Sequence, residues 1–205
     1  MNSHDTNSFY RMRLPHWEVG RGIYFVTMHV FGSLPVQVMD ELRTLSAQSQ
    51  HTDEPTQWHL RRLAFRAMEN ALDHDRAIDY LIRPAIAELC MEAIRSREQR
   101  DIWHVEEYVL MPNHLHLLIQ LKSGSLKPVM ESFKRWTSRR ALPLIELHRS
   151  FWQQEWFDHW SRSPEQDERI RAYIRNNPVK ARLVKDYRDW PYGSWNDPGL
   201  NKNSP

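Results

Sequence analysis

The sequence has almost no cysteine: Cys90 is the single one among 205 residues. One thiol excludes an intramolecular disulfide framework and any zinc site built on several cysteines. Long apolar runs are missing too. The most apolar stretch, Tyr108 to Leu121, is broken by Pro112, Asn113, His114 and His116, so nothing approaches the roughly 20 apolar residues of a membrane span. The opening MNSHDTNSFYRMR has no apolar h-region, and no secretory signal is expected. There is no internal repeat and no low-complexity run. These absences point to a cytoplasmic protein with no membrane partner. A large excess of one charge is also lacking, since 28 Lys and Arg face 26 Asp and Glu.

What is present is enough apolar material, 40% of residues, to bury a core in a single domain spanning 1–205. The near-neutral sum hides a local excess. Between Lys122 and Arg149, seven basic residues face only Glu131 and Glu146. Nine tryptophans accompany them across the chain. Basic residues interleaved with aromatics suit a surface that neutralises phosphates and stacks bases. A solvated helix face with tryptophans in the core accounts for the same composition, and composition alone leaves both readings open.

Residues 1–20 read as irregular. GIYFVTMHVF, residues 22–31, is β-branched and aromatic and predicts a buried strand. Residues 36–75 are the least regular, with a polar loop over 48–55 and an amphipathic helix over 56–70 that presents Trp58, Leu63 and Ala67; they form a helical insertion of unassigned role. Pro84 suits a first helical position, and Ile86, Leu89, Cys90, Ala93 and Ile94 then follow helical spacing, which makes Cys90 a small core residue. Residues 102–111 and 114–121 predict two strands of a hairpin around Pro112 and Asn113. A basic amphipathic helix runs over 126–142, and the aromatic segment 151–160 predicts another strand. Ser163, Pro164 and Gln166 form a helix start, with Ser163 as cap. That helix is expected to end near Asn176, because Pro178 biases Asn177 away from helical dihedrals. From about residue 186 the tail is irregular. The order is that of an α+β fold with a ferredoxin-like βαββαβ core, an antiparallel sheet with helices on one face, plus a C-terminal helix.

Side chains two apart on a strand share a face. His114 and His116 therefore project together, opposite Leu115, Leu117, Ile119 and Leu121. Two imidazoles on one face make half of a divalent-metal site. Tyr173 and Asn177, four apart on the last helix, share a face as well. Taken alone, each has a plain structural role: a packed Tyr against Ile170 and Ile174, and a C-terminal cap.

The strings MPNHLHLLI, YIRNNPVKARLV and DWPYGSW occur in that order between Trp103 and Trp195. Together they resemble the REP-associated tyrosine transposases, single-tyrosine members of the HUH endonucleases, and GIYFVTMHV resembles that family's first strand. The resemblance implies a metal-dependent enzyme that cuts and rejoins single-stranded or hairpin-forming DNA, notably repeated extragenic palindromes, through a 5′-phosphotyrosine. It implies Tyr173 as the nucleophile. It implies His114 and His116 as metal ligands with Asn177 as a third contact, and Mg²⁺ or Mn²⁺ as the ion. It implies a bacterial, nucleoid-associated protein acting as a monomer or homodimer. Candidate DNA contacts are Arg11, Arg13, Lys127, Lys134, Arg135, Arg139 and Arg140, with Trp136 to stack. Nothing is carried over to residues 36–75. Two other functions stay open: a non-catalytic protein that binds DNA or RNA hairpins, and a metal-dependent phosphodiesterase that uses water.

Overall fold

The computed structural model describes residues 6–11, 15–19, 22–49, 52–74, 77–145 and 150–200, the first two segments as backbone only. Four strands form the central antiparallel sheet: β3 (Ile23–His29), β4 (Trp103–Leu110), β5 (His114–Leu121) and β6 (Phe157–Ser161). Their spatial order is β4-β5-β3-β6, the order of a ferredoxin-like βαββαβ core. The first crossover carries α1 (Val36–Gln48), α2 (Glu54–His74) and α3 (Pro84–Gln99), and the second carries α4 (Leu126–Ala141). Beyond β6, α5 (Pro164–Lys180) returns across the sheet. No helix among the described residues is long and apolar enough to cross a membrane.

The sheet is covered on both faces. Tyr24, Val26, Met28, Leu115, Leu117 and Ile119 point to one side, where Ile86, Cys90 and Ile94 of α3 and Met130 and Phe133 of α4 complete the larger core. The opposite side is smaller. There Phe25, Val109 and Leu118 meet Ile174 of α5. Burial pushes the Cys90 thiol up to about 12, which keeps it protonated and inert, as expected of a core residue.

Several elements differ from the sequence reading, each for a local reason. Residues 1–20, read as irregular, contain β1 (Thr6–Arg11) and β2 (Pro15–Val19), paired antiparallel in a separate two-stranded sheet. Segments so short carry too few alternations to stand out. The strand expected over 151–160 begins only at Phe157; Phe151, Trp152 and Trp156 are core residues before it. The helix over 56–70 extends to 54–74. Its buried stripe is Ala64, Met68 and Leu72, and not the face of Trp58, Leu63 and Ala67; Leu63 is exposed. α5 does not stop at Asn176 but continues through Pro178 to Lys180. Only one backbone bond is lost to the proline in that last turn. The chain then leaves the helix at Arg182, in the left-handed region at φ 57°.

A register shift interrupts β4 between Val105 and Glu107. Trp103 and Val105 face the larger core, and beyond the shift so do Tyr108 and Leu110. Such a bulge re-aims the residues around it. Here Glu106 and Glu107 both reach α5, where they pair with Arg171 and Arg175.

Candidate active site

Strand alternation sends His114 and His116 to the smaller face of the sheet, both fully buried. Each ring is held through Nδ1. For His114 the partner is Asn113 Oδ1 at 2.7 Å. The Asn113 amide nitrogen donates to the Leu72 carbonyl at 3.0 Å, so Oδ1 is the acceptor and His114 carries its proton on Nδ1. His116 Nδ1 lies 2.8 Å from Thr27 Oγ1 on the neighbouring strand. Phe25 stacks on the His116 ring, with centroids 5.5 Å apart. The two Nε2 atoms face one another at 3.1 Å. Two imine nitrogens at that distance must share something positive, a proton or a metal ion.

α5 contributes from above. Its N-terminus is set by Ser163, whose hydroxyl accepts from the Gln166 backbone N–H at 3.3 Å. Its far end is held by Lys180, 2.8 Å from Asp73 of α2. Between them, Tyr173 and Asn177 point down one face onto the histidines. The Asn177 amide nitrogen lies 3.0 Å from His116 Nε2, and the Tyr173 ring lies 5.4 Å from the His116 ring.

The third wall is α2. Glu69 sits on its buried stripe beside Met68 and Leu72 and is almost wholly buried. One carboxylate oxygen lies 3.3 Å from His116 Nε2 and accepts the Tyr173 hydroxyl. Donor atoms of Glu69, His114 and His116 all fall within 4.8 Å of one another. Glu69 is the residue the sequence reading missed. The available signal was a carboxylate at an apolar position of an amphipathic helix, at i+5 from Ala64 and i−3 from Leu72.

Electrostatics follow from this crowding. Burial raises the Glu69 carboxyl, but His116, His114 and the Tyr173 hydroxyl outweigh it and hold the group at about 2. Burial, then His116, push His114 well below its ordinary value. Tyr173 is raised by burial and by the facing Glu69 carboxylate. In this arrangement the phenol keeps its proton.

The donor set fits a divalent ion. Ligands at about 2.1 Å from one ion stand about 3 Å apart at right angles, close to the 3.1 and 3.3 Å observed. On the two side chains that reach His116, Glu69 Oε1 and Asn177 Oδ1 are buried with no hydrogen-bond partner among the described residues. Orphaned buried acceptors of this kind are costly in the absence of a cation. Rotating the Asn177 amide exchanges nitrogen and oxygen and presents Oδ1 to the histidines.

Residues 78–177 match the family model described as IS200-like transposase. Over that segment, just under half of its length, the chain is similar to the IS200-like transposases. The match runs from just before α3 to the last turn of α5, so β3, α1 and α2, and with them Glu69, lie outside the matched segment. A solved structure of a REP-associated tyrosine transposase bound to a REP hairpin superposes with a TM-score of 0.57 at 18% identity, covering 92% of this chain and 82% of that one. That likeness establishes the shared fold. No curated protein sequence matches.

The cations expected at DNA are elsewhere. Lys127, Lys134, Arg135, Arg139 and Arg140 lie on α4, whose buried side packs into the larger core, across the sheet from His114 and Tyr173. Lys134 is structurally engaged: its ammonium donates to the carbonyls of Gln153 and Gln154 at 2.6 Å each, and burial holds it at about 8. Arg140 lies over the Trp136 ring at 4.0 Å. Arg135 and Arg139 are exposed. Arg11 ends β1, and Arg13 lies outside the described residues.

Proposed function

We propose that the protein is a metal-dependent tyrosine endonuclease that cleaves and rejoins hairpin-forming, REP-type DNA. The observation that carries the reading is the Tyr173 hydroxyl held against Glu69 beside the paired His114 and His116. His114, His116 and Glu69 hold the ion, with Asn177 as a further contact. Mn²⁺ suits two imidazoles at least as well as Mg²⁺. When bound, the ion neutralises charge on the scissile phosphate and lowers the cost of forming phenolate. The chain's own groups do the rest. Asn113 and Thr27 orient the imidazoles. Glu69 accepts the phenol hydrogen bond, the direction in which that proton departs. α5 fixes the Tyr173 oxygen for in-line attack. The Oη–P bond forms as the P–O3′ bond breaks, leaving a 5′-phosphotyrosine and a 3′-hydroxyl that takes up a proton. Attack by a second 3′-hydroxyl reverses the exchange and joins strands without an external energy source. The exposed cations of α4 add sequence-independent affinity for the hairpin.

The test is denaturing electrophoresis of labelled hairpin DNA incubated with protein and Mn²⁺. The wild type is expected to give a covalent band. Tyr173→Phe, which keeps the ring packed on Phe25 and Phe65, is expected to give none while still binding the hairpin. A retained band overturns the nucleophile assignment. Cleavage with no band in the wild type identifies a water-using phosphodiesterase. Binding without cleavage identifies a hairpin-binding protein.

A further inference from the structure

A groove of about 710 Å³ runs between α2 on one side and β6 with the start of α5 on the other, and Tyr173 lines it. Its walls carry five arginines: Arg61, Arg62 and Arg66 from α2, Arg162 just beyond β6, and Arg169 from α5. Among the described residues, no acidic side chain lines it. Among the described residues, Arg62, Arg66, Arg162 and Arg169 form no ion pair. Asp158 acts on Arg61 and Glu165 on Arg169, but five guanidinium groups gathered around one groove still repel one another, and a phosphate backbone relieves that repulsion. The crowding is already visible on His159, which burial, then Arg61 and Arg162, hold at about 4.

The groove also has π-faces along its length. Trp58 meets His159 edge to face at 5.5 Å, and the Arg162 guanidinium lies over Trp58 at 4.5 Å. Further in, Phe65 packs on Phe157 at 4.6 Å and on Tyr173 at 5.9 Å. A basic track studded with aromatics matches unpaired bases, whose faces are free to stack, and not a duplex, whose bases stack on each other. The α2 wall lies outside the segment shared with the family model.

We infer that this groove binds the single-stranded DNA flanking the hairpin and leads its backbone to the Tyr173 oxygen. The inference rests on the proposed function for its substrate and adds the surface that selects and places the unpaired segment. Arg62 and Arg66 are exposed and Trp58 is half-buried at the outer part of α2. They act on binding, and none of the three is a metal ligand.

Fluorescence anisotropy of the full chain in EDTA, where no cleavage occurs, tests it with two probes: a hairpin with a single-stranded flank and the same hairpin without one. The flank is expected to strengthen binding to the wild type. The double variant Arg62→Ser, Arg66→Ser is expected to bind the flanked hairpin about tenfold more weakly, with a log–log salt slope shallower by about 1.4, that is 0.7 per lost phosphate contact. Its binding to the flankless hairpin is expected to stay as in the wild type. Trp58→Leu is expected to weaken only the flanked probe, through lost stacking. Equal losses on both probes, or no loss on either, overturn the inference. The two readings fail separately: a wild type that shows flank-dependent binding but no covalent band removes the endonuclease and keeps the groove, whereas a covalent band with flank-independent binding removes the groove alone.

Discussion

A carboxylate on the buried stripe of an amphipathic helix costs several kcal/mol unless something positive meets it. Glu69 occupies such a position, with one oxygen against His116 and Tyr173 and the other without a hydrogen-bond partner among the described residues. An ion held by Glu69, His114 and His116 would supply that positive charge and, by offsetting the carboxylate, would remove part of what keeps the Tyr173 phenol protonated. Glu69→Ala is therefore expected to weaken Mn²⁺ binding at least about tenfold, read by isothermal titration, while the circular dichroism spectrum stays that of the wild type. Unchanged Mn²⁺ affinity would remove Glu69 from the ligand set. His114, His116, Tyr173 and Asn177 were legible because strand and helix periodicities state which residues share a face. Glu69 was not, because its importance comes from a neighbour 45 residues along the chain, and no periodicity encodes that distance.

At the scale of elements, α5 shows how a correct local rule is overridden by packing. Pro178 disfavours helix at Asn177, yet Asn177 stays helical and so remains one turn beyond Tyr173, on the same face. Docking sustains it. Lys180 pairs with Asp73, Arg171 with Glu106, and Arg175 with the buried Glu107 at 2.6 Å. The bulge in β4 turns both glutamates toward the helix. Glu107 also accepts the Ser194 hydroxyl, which ties the C-terminal segment to the same point. Glu107→Ala is expected to cost about 2 kcal/mol, less than a fully buried pair because Arg175 can rehydrate, measured as a lower urea midpoint at unchanged m-value. A loss within 0.5 kcal/mol would make the contact a surface pair of little worth.

At the scale of the molecule, β5, α5 and α2 of one chain bring together Glu69, His114, His116, Tyr173 and Asn177. Mixing a His114→Ala, His116→Ala chain with a Tyr173→Phe chain is accordingly expected to restore no covalent band on hairpin DNA, although each chain retains what the other lacks. Recovery of the band would mean that α5 is exchanged between chains. The sequence by itself determined the core elements, the hairpin that aims two histidines at one face, and the capped helix that carries Tyr173, since all of these follow from local periodicity, capping and turn chemistry. The resemblance to tyrosine transposases followed from motifs in order along the chain. Only the tertiary structure decided that α2 closes the site with Glu69, that α4 lies across the sheet from Tyr173, and that arginines from α2, α5 and the connection after β6 meet in one groove. Those outcomes depend on which apolar faces find each other across long stretches of chain. Burial of Ala64, Met68 and Leu72 against the sheet and its neighbours sets that choice, and the carboxylate and guanidinium groups go where the packing carries them.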